Sequence, residues 1–369
     1  NLVGFKRTLY EWSMHLPAPY ELGTEFPLAL SPTLLPTRLS ELVAAVKKLS
    51  ASGVVRVLLT KHGAIYFRDV GVQTAADFSQ FAAAFGWPAH EDIGNPVRRT
   101  VLAPNVATAN EGPNTQPIYP HNEFGLSPHY PQYVLFYCAG APEQGGETPI
   151  NSSIVLYERL KETVPEFLNA LEAKLGTQYH NADTKQGVKY QLLYPKKPRD
   201  NVSSPGTSVL QSYGKKILDS DGVEDRRAKI EKEIKRLPTA TWQWENQSES
   251  NQLGDLRVWQ RLPALQKHEM TGHMAFFNNM VSRFLYARAN GTLQPSHISE
   301  DGKYQPPCFY GDGELIPEHF LVNAYDIIQK TSSKVTWQAG DVLILDNHQV
   351  QHAREPWTGP RKLLASCWD

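Results

Sequence analysis

Cysteine is scarce, with 3 residues in a chain of 369. Cys138, Cys308 and Cys367 are odd in number and far apart, and they form neither a CxxC pair nor a disulfide framework. That usage points to a reducing compartment. Asn-X-Ser/Thr triplets at Asn151, Asn201, Asn246 and Asn290 point weakly the other way, but such triplets arise often by chance. The chain therefore reads as intracellular, in the cytoplasm. Neither sign of charge is in excess: 37 Lys and Arg face 38 Asp and Glu, for a formal net charge of -1. There is thus no electrostatic reason to expect a nucleic-acid or membrane-surface partner. No apolar run approaches the roughly 20 residues that span a bilayer. The N-terminal stretch lacks the apolar core of a signal peptide, although a start at Asn1 rather than Met leaves room for a trimmed targeting segment. Internal repeats, GxGxxG, GxxxxGK[ST] and GxSxG are all missing, which removes the usual sequence signals of dinucleotide, P-loop and nucleophile-elbow chemistry.

What is present is ordinary globular composition, 41% hydrophobic and 20% charged. The length would allow two domains, but a large β-barrel with insertions reaches this size as one unit. The reading is one domain over 1–369, with a Pro- and aromatic-rich irregular arm at about 1–36 and an inserted helical and loop region at about 185–240. Helical spacing predicts helices in "TRLSELVAAVKKLSASG", ending at Gly53, and in "TAADFSQFAAAFGW", with Thr74 as N-cap. "SSIVLYERLKETVPEFLNALEAKLG" and "PEHFLVNAYDIIQK" are also predicted helical, with Pro165 marking a break or a new first turn. "VEDRRAKIEKEIKRL" reads as a charged, solvated helix, and residues 194–208 as loop. Strand candidates are "VVRVLLT", "GAIYFRDV", "QYVLFYCAG", "LRVWQRLP", "KVTW", "DVLILD" and "RKLLASCW". Short strands on both sides of a helical insertion predict a mostly β fold with flanking helices, a barrel or jelly roll rather than a doubly wound sheet.

One segment carries chemistry. In "PIYPHNEFGLSPHYP", His121 and Glu123 stand two residues apart before an aromatic-rich strand candidate. If extended, that spacing points both side chains at a common spot. A third ligand is offered far away by "DNHQVQHAREPW", where His352 and His348 compete. Two histidines and a carboxylate form the facial triad suited to non-haem Fe(II), which leaves three coordination positions open. A closed zinc site would need more Cys or His at short spacing.

HxE alone is weak, since most histidines are structural. The surrounding residues, "TANEGPNTQPIYPHNEFGLSPHYPQYVLFYCAGAPEQGGETPI" and "GDVLILDNHQVQHAREPWTGPRKLL", resemble the taurine dioxygenase-like (TauD/TfdA) family of Fe(II)- and 2-oxoglutarate-dependent oxygenases. They look closest to its HxE branch of clavaminate synthase-like enzymes and amino-acid hydroxylases. The resemblance runs from about Val54 to the C-terminus, with 185–240 poorly matched. It implies a double-stranded β-helix (jelly roll, cupin-like), His121, Glu123 and His352 as iron ligands, and Thr148 and Arg361 as binders of 2-oxoglutarate. Guanidinium suits that role because it pairs bidentately with a carboxylate. Fe(II) as cofactor with 2-oxoglutarate and O₂ as co-substrates is implied too, with succinate and CO₂ released as a small molecule is oxidised.

Bland alternatives stand beside these roles. Arg354 and Arg361 could be surface cations, His129 and His348 surface or supporting groups, and Trp357, Phe276 and Phe277 barrel packing. Arg98, Arg99, Asn110 and Glu111 could face substrate, with structural hydrogen bonding at least as natural for them. The leading expectation is hydroxylation of an amino acid or a derivative in biosynthesis, with desaturation or oxidative cyclisation as the alternative. A non-catalytic jelly-roll binding protein and a cupin-type metalloenzyme independent of 2-oxoglutarate are the competing classes. In the taurine-oxidising branch, a second arginine four residues past the co-substrate arginine holds the sulfonate. Ala365 stands there, so sulfonates are expected to be poor substrates.

Overall fold

A computed structural model describes residues 4–33, 38–95, 99–109, 112–173, 188–194, 212–249, 252–300 and 304–369. At its centre is the strand Val342–Asp346, "VLILD", whose residues are all buried. Its near-continuous apolar character follows from being covered on both faces. Val342 and Ile344 pack with Leu42, Leu59, Phe78 and Phe81 of three N-terminal helices. Leu343 and Leu345 point the other way, into a core shared with Ile150, Val335 and Val350.

This strand belongs to an eight-stranded sheet. In spatial order its members are Phe5–Arg7, Leu28–Pro32, Ala64–Phe67, Val342–Asp346, Tyr133–Gly140, Lys362–Trp368, Val106–Thr108 and Val101–Ala103. The core between Leu343 and Ile150 joins it to a four-stranded sheet ordered Ser333–Val335, Thr148–Ser152, Val350–Arg354 and Ile118–His121. A further four-stranded sheet is built from Ala240–Glu245, Asp255–Leu262, Val188–Tyr194 and Cys308–Tyr310. The helices Ser153–Thr163, Pro165–Ala173, Met280–Ala289 and Glu318–Thr331 share another apolar cluster that includes Phe167, Phe276 and Phe284. The fold is therefore mostly β with flanking helices. Among the described residues no helix is long and apolar enough to cross a membrane.

Several expected elements are present as read. Thr74 caps the helix Ala75–Ala83: its hydroxyl accepts from the Asp77 amide at 3.1 Å, and the Asp77 carboxylate accepts from the Thr74 amide at 3.0 Å. Pro165 opens a new helix rather than breaking one. "VVRVLLT" is not a strand but part of the helix Val54–His62. Its buried residues Val55, Leu59 and His62 recur at helical spacing, and Gly53, with φ of 76°, turns the chain into a second helix. The arm is not irregular either, since Phe5–Arg7 and Leu28–Pro32 extend the large sheet. The charged helix Val223–Ile234 buries Ile230, Glu233 and Ile234, so one face packs and only the rest is solvated. The helix Met280–Ala289 was not anticipated. Of the loop read at 194–208, Tyr194 ends a strand, and 195–208 lies outside the described residues.

Candidate metal centre

The two histidines meet through strand pairing. His121 ends Ile118–His121, and His352 lies opposite it in register on Val350–Arg354. Their ring centroids are 4.3 Å apart. Glu123 joins them for a different reason than expected. The strand stops at His121, so alternation along an extended chain does not place Glu123. Instead a turn carries it back, and Asn347 holds that turn: its Oδ1 accepts from the Glu123 amide at 2.7 Å, and its Nδ2 donates to the Glu123 carbonyl at 2.9 Å and to the Pro131 carbonyl at 2.8 Å. Between His121 and Glu123, the fully buried Asn122 donates to the Asn347 carbonyl at 2.7 Å. Its own backbone is gripped by Asn279, at 2.9 and 3.0 Å. Gly125 is required for that grip, because a Cβ there would come within 2.5 Å of the Asn279 amide oxygen.

The result is a compact donor set. Glu123 Oε2 lies 3.3 Å from His352 Nε2 and 3.9 Å from His121 Nε2. The three ligand atoms all fall within 4.8 Å of one another, and among the described residues this is the one such group. His121 Nδ1 donates to the Tyr119 carbonyl at 2.8 Å, which leaves Nε2 free to act as a donor to a metal. Burial, assisted by the neighbouring His352, pushes the His121 imidazole down to about 4. Burial alone would raise the Glu123 carboxyl, but Arg99 with the two histidines outweighs it and holds the group well below the usual carboxylate range. Both shifts favour the deprotonated forms that a metal needs.

The set opens into a cavity of about 270 Å³. Thr148 and Arg361, the two residues expected at the co-substrate, line it together with the three donors. The Thr148 hydroxyl is buried and accepts from Trp337 Nε1 at 2.9 Å. Arg361 donates through Nε to the Gly146 carbonyl at 3.0 Å, and a Cβ on Gly146 would crowd that guanidinium at 3.0 Å. Its guanidinium forms no ion pair among the described residues and lies 5.2 Å from the centre of the Trp357 ring. Burial, with Arg354 nearby, pulls the Arg361 group down to about 10.

His348, the competing histidine, is elsewhere: its ring sits 4.9 Å from Phe277 and 5.3 Å from His268. His129 Nε2 donates to the Glu91 carbonyl at 2.7 Å and its ring stacks 4.4 Å from His90, a structural role. Phe276 and Phe277 are core, but Trp357 is not barrel packing, since it is half-buried under the guanidinium groups of Arg354 and Arg361. Arg354 is no surface cation. It is buried in the cavity wall, donating to the Pro113 and Gln116 carbonyls at 2.9 and 2.8 Å. Arg98, Asn110 and Glu111 lie outside the described residues. Ala365 is buried in the sheet opposite Phe136 and does not line the cavity. Sequence reasoning missed Arg283, Asn279 and Asn347. Arg283 lines the cavity and donates to the Pro306 carbonyl at 2.8 Å, and no acid pairs with it among the described residues.

A family profile described as Taurine catabolism dioxygenase TauD, TfdA family matches residues 42–368. A clavaminate synthase-like protein of Arabidopsis thaliana is 31% identical over 315 residues, covering 84% of this chain and 82% of that protein. A dapdiamide synthesis protein, DdaC, of Enterobacter agglomerans is 25% identical over 325 residues, covering 85% and 84%. Of solved structures, the PvcB protein of Pseudomonas aeruginosa aligns with a TM-score of 0.47 at 15% identity, over 98% of this chain and 93% of that one.

Proposed function

Because the chain belongs to the taurine catabolism dioxygenase TauD, TfdA family, we propose that His121, Glu123 and His352 hold Fe(II) for oxidation of a small molecule in the adjoining cavity. The enzyme is a 2-oxoglutarate-dependent dioxygenase, with Fe(II) as cofactor and 2-oxoglutarate and O₂ as co-substrates. The observation that carries the assignment is the convergence of two imidazoles and one carboxylate beside Arg283 and Arg361, which form no ion pair among the described residues. Three protein donors of that type suit Fe(II) and leave room for further ligands. The chain is read as one domain, and its two central sheets as the halves of a double-stranded β-helix.

When bound, iron with O₂ supplies the oxidising chemistry while 2-oxoglutarate is converted to succinate and CO₂. This chain's own residues do the rest. Arg361 receives the distal carboxylate, held in line by the Gly146 carbonyl and the Trp357 ring. Thr148, oriented by Trp337, keeps its hydroxyl proton available for a co-substrate oxygen. Phe136 packs 5.0 Å from the His352 ring and keeps that side of the site apolar.

The substrate is proposed to be an amino acid or a derivative in a biosynthetic pathway, modified by hydroxylation. One relative is named for the synthesis of dapdiamide, which supports the pathway class. Arg283 offers a substrate carboxylate a half-buried cation at the cavity wall. Desaturation or cyclisation is the alternative outcome on the same cofactors. Succinate release across a panel of free amino acids, acylated amino acids and taurine, with product masses, tests the reading. An amino-acid-type compound should stimulate release and gain the mass of one oxygen, whereas a loss of two mass units would favour desaturation or cyclisation. Turnover that is strong with taurine and absent with every amino-acid compound would overturn the substrate assignment.

A further inference from the structure

The donor set contains glutamate, whose extra methylene gives its carboxylate one more torsion than an aspartate would have. A facial triad with three open positions needs that carboxylate to offer one oxygen and to keep the other away. In this chain the second oxygen is already engaged: Arg99 Nη2 donates to Glu123 Oε1, while Oε2 faces His352 Nε2 at 3.3 Å and His121 Nε2 at 3.9 Å. Both partners are shielded, with side-chain exposures of 18% for Arg99 and 8% for Glu123.

Arg99 is held in place from outside the ligand-bearing sheet. The next residue, Thr100, donates its amide to the Thr108 hydroxyl at 2.9 Å and accepts the Thr108 amide at its carbonyl at 2.9 Å. Thr108 in turn pairs with Leu364 in the large sheet. The histidines stand on the small sheet, so the Arg99–Glu123 contact ties the donor set across the two sheets.

We propose that Arg99 is a positioning residue that clamps one oxygen of Glu123 and so presents the other, alone, to the metal. This rests on the reading of His121, Glu123 and His352 as iron ligands. A rival explanation is that Arg99 merely adds positive charge, and it has the opposite sign. Removing a nearby cation would tighten the binding of a dication, whereas removing a clamp would loosen it. Outer groups that orient metal ligands typically change metal affinity by about 10- to 100-fold when deleted.

The test is anaerobic Fe(II) titration of the full chain as wild type, Arg99→Ala and Arg99→Lys. Thermal unfolding checks the fold, and the visible band formed on adding 2-oxoglutarate is recorded at saturating iron. Arg99→Ala should weaken Fe(II) binding by about 10- to 100-fold and shift the band, because the freed carboxylate no longer holds a fixed oxygen toward the metal. Arg99→Lys, which keeps one donor but not the planar fork, should fall between the two and reports the clamp even if the Ala variant fails to fold. Unchanged or tighter Fe(II) binding in both variants would overturn the clamp while leaving the ligand assignment standing. Wild-type protein that binds no Fe(II) would sink the ligand assignment and this inference together.

Discussion

Replacing Arg361 by Ala tests the co-substrate site most sharply. In the folded protein this guanidinium is half-buried, lies 5.2 Å from the centre of the Trp357 ring, donates one N–H to Gly146 and forms no ion pair among the described residues. Burial and the neighbouring Arg354 already draw it down to about 10, so the arrival of a carboxylate relieves an existing strain on the charge. Removing one partner of a buried charge pair typically costs about 3–5 kcal/mol. At about 1.4 kcal/mol per decade, that is roughly a hundredfold to a few thousandfold in dissociation constant. Arg354 stacks on the same tryptophan and would cover part of the loss, so the lower end, about a hundredfold, is expected. The assay is anaerobic titration of the Fe(II)-loaded variant with 2-oxoglutarate, followed by the visible band. A less charged 2-oxo acid should lose much less affinity than 2-oxoglutarate. An unchanged dissociation constant for 2-oxoglutarate would refute the argument and pass the role to Arg354.

Thr148→Val should destabilise the apoprotein by about 1–3 kcal/mol, because the buried Trp337 Nε1 would lose its acceptor. A denaturant midpoint that does not move would contradict this. Asn347→Ala removes three hydrogen bonds around Glu123 and Pro131, so a loss of about 2–4 kcal/mol in stability is expected along with weaker Fe(II) binding. His348 is pushed down to about 4 by burial and by His268, and its buried Nε2 has no hydrogen-bond partner among the described residues. The unfolded chain therefore takes up a proton that the folded one resists. Stability is full above the ordinary histidine value of 6.5 and is lost as pH falls through about 4, by at most about 3 kcal/mol from this group. His348→Gln should flatten that part of the acid-unfolding curve, and an identical curve would assign the loss to other residues.

Much of this was legible in the chain because the relevant signals are local. The cap at Thr74, the helix start at Pro165 and the all-apolar strand Val342–Asp346 are read from neighbouring residues and are present as read. The donor residues were nameable from their types and the resemblance, and Thr148 and Arg361 do share their cavity. What failed was mostly long-range. "VVRVLLT" carries β-branched residues, yet packing of Val55 and Leu59 against the large sheet decides for a helix. The strands at Phe5–Arg7 and Leu28–Pro32 exist only because a sheet edge is available to them. Glu123 reaches the histidines through a turn pinned by Asn347, 224 residues away in sequence, and no pattern around HxE reveals that. Arg283 is an ordinary arginine until the fold lines it along one cavity with Arg99 and Arg354. They also weaken the case against sulfonates drawn from Ala365, since cations reach the cavity from other elements.

The central claim, that His121, Glu123 and His352 form one iron site, is tested most directly by anaerobic Fe(II) and 2-oxoglutarate titration of the wild type, His352→Ala and His348→Ala. The wild type and His348→Ala should both develop the visible band of the iron–2-oxoglutarate chelate. His352→Ala should lose tight Fe(II) binding and the band while unfolding at a similar temperature. A band that survives in His352→Ala and vanishes in His348→Ala would contradict the account.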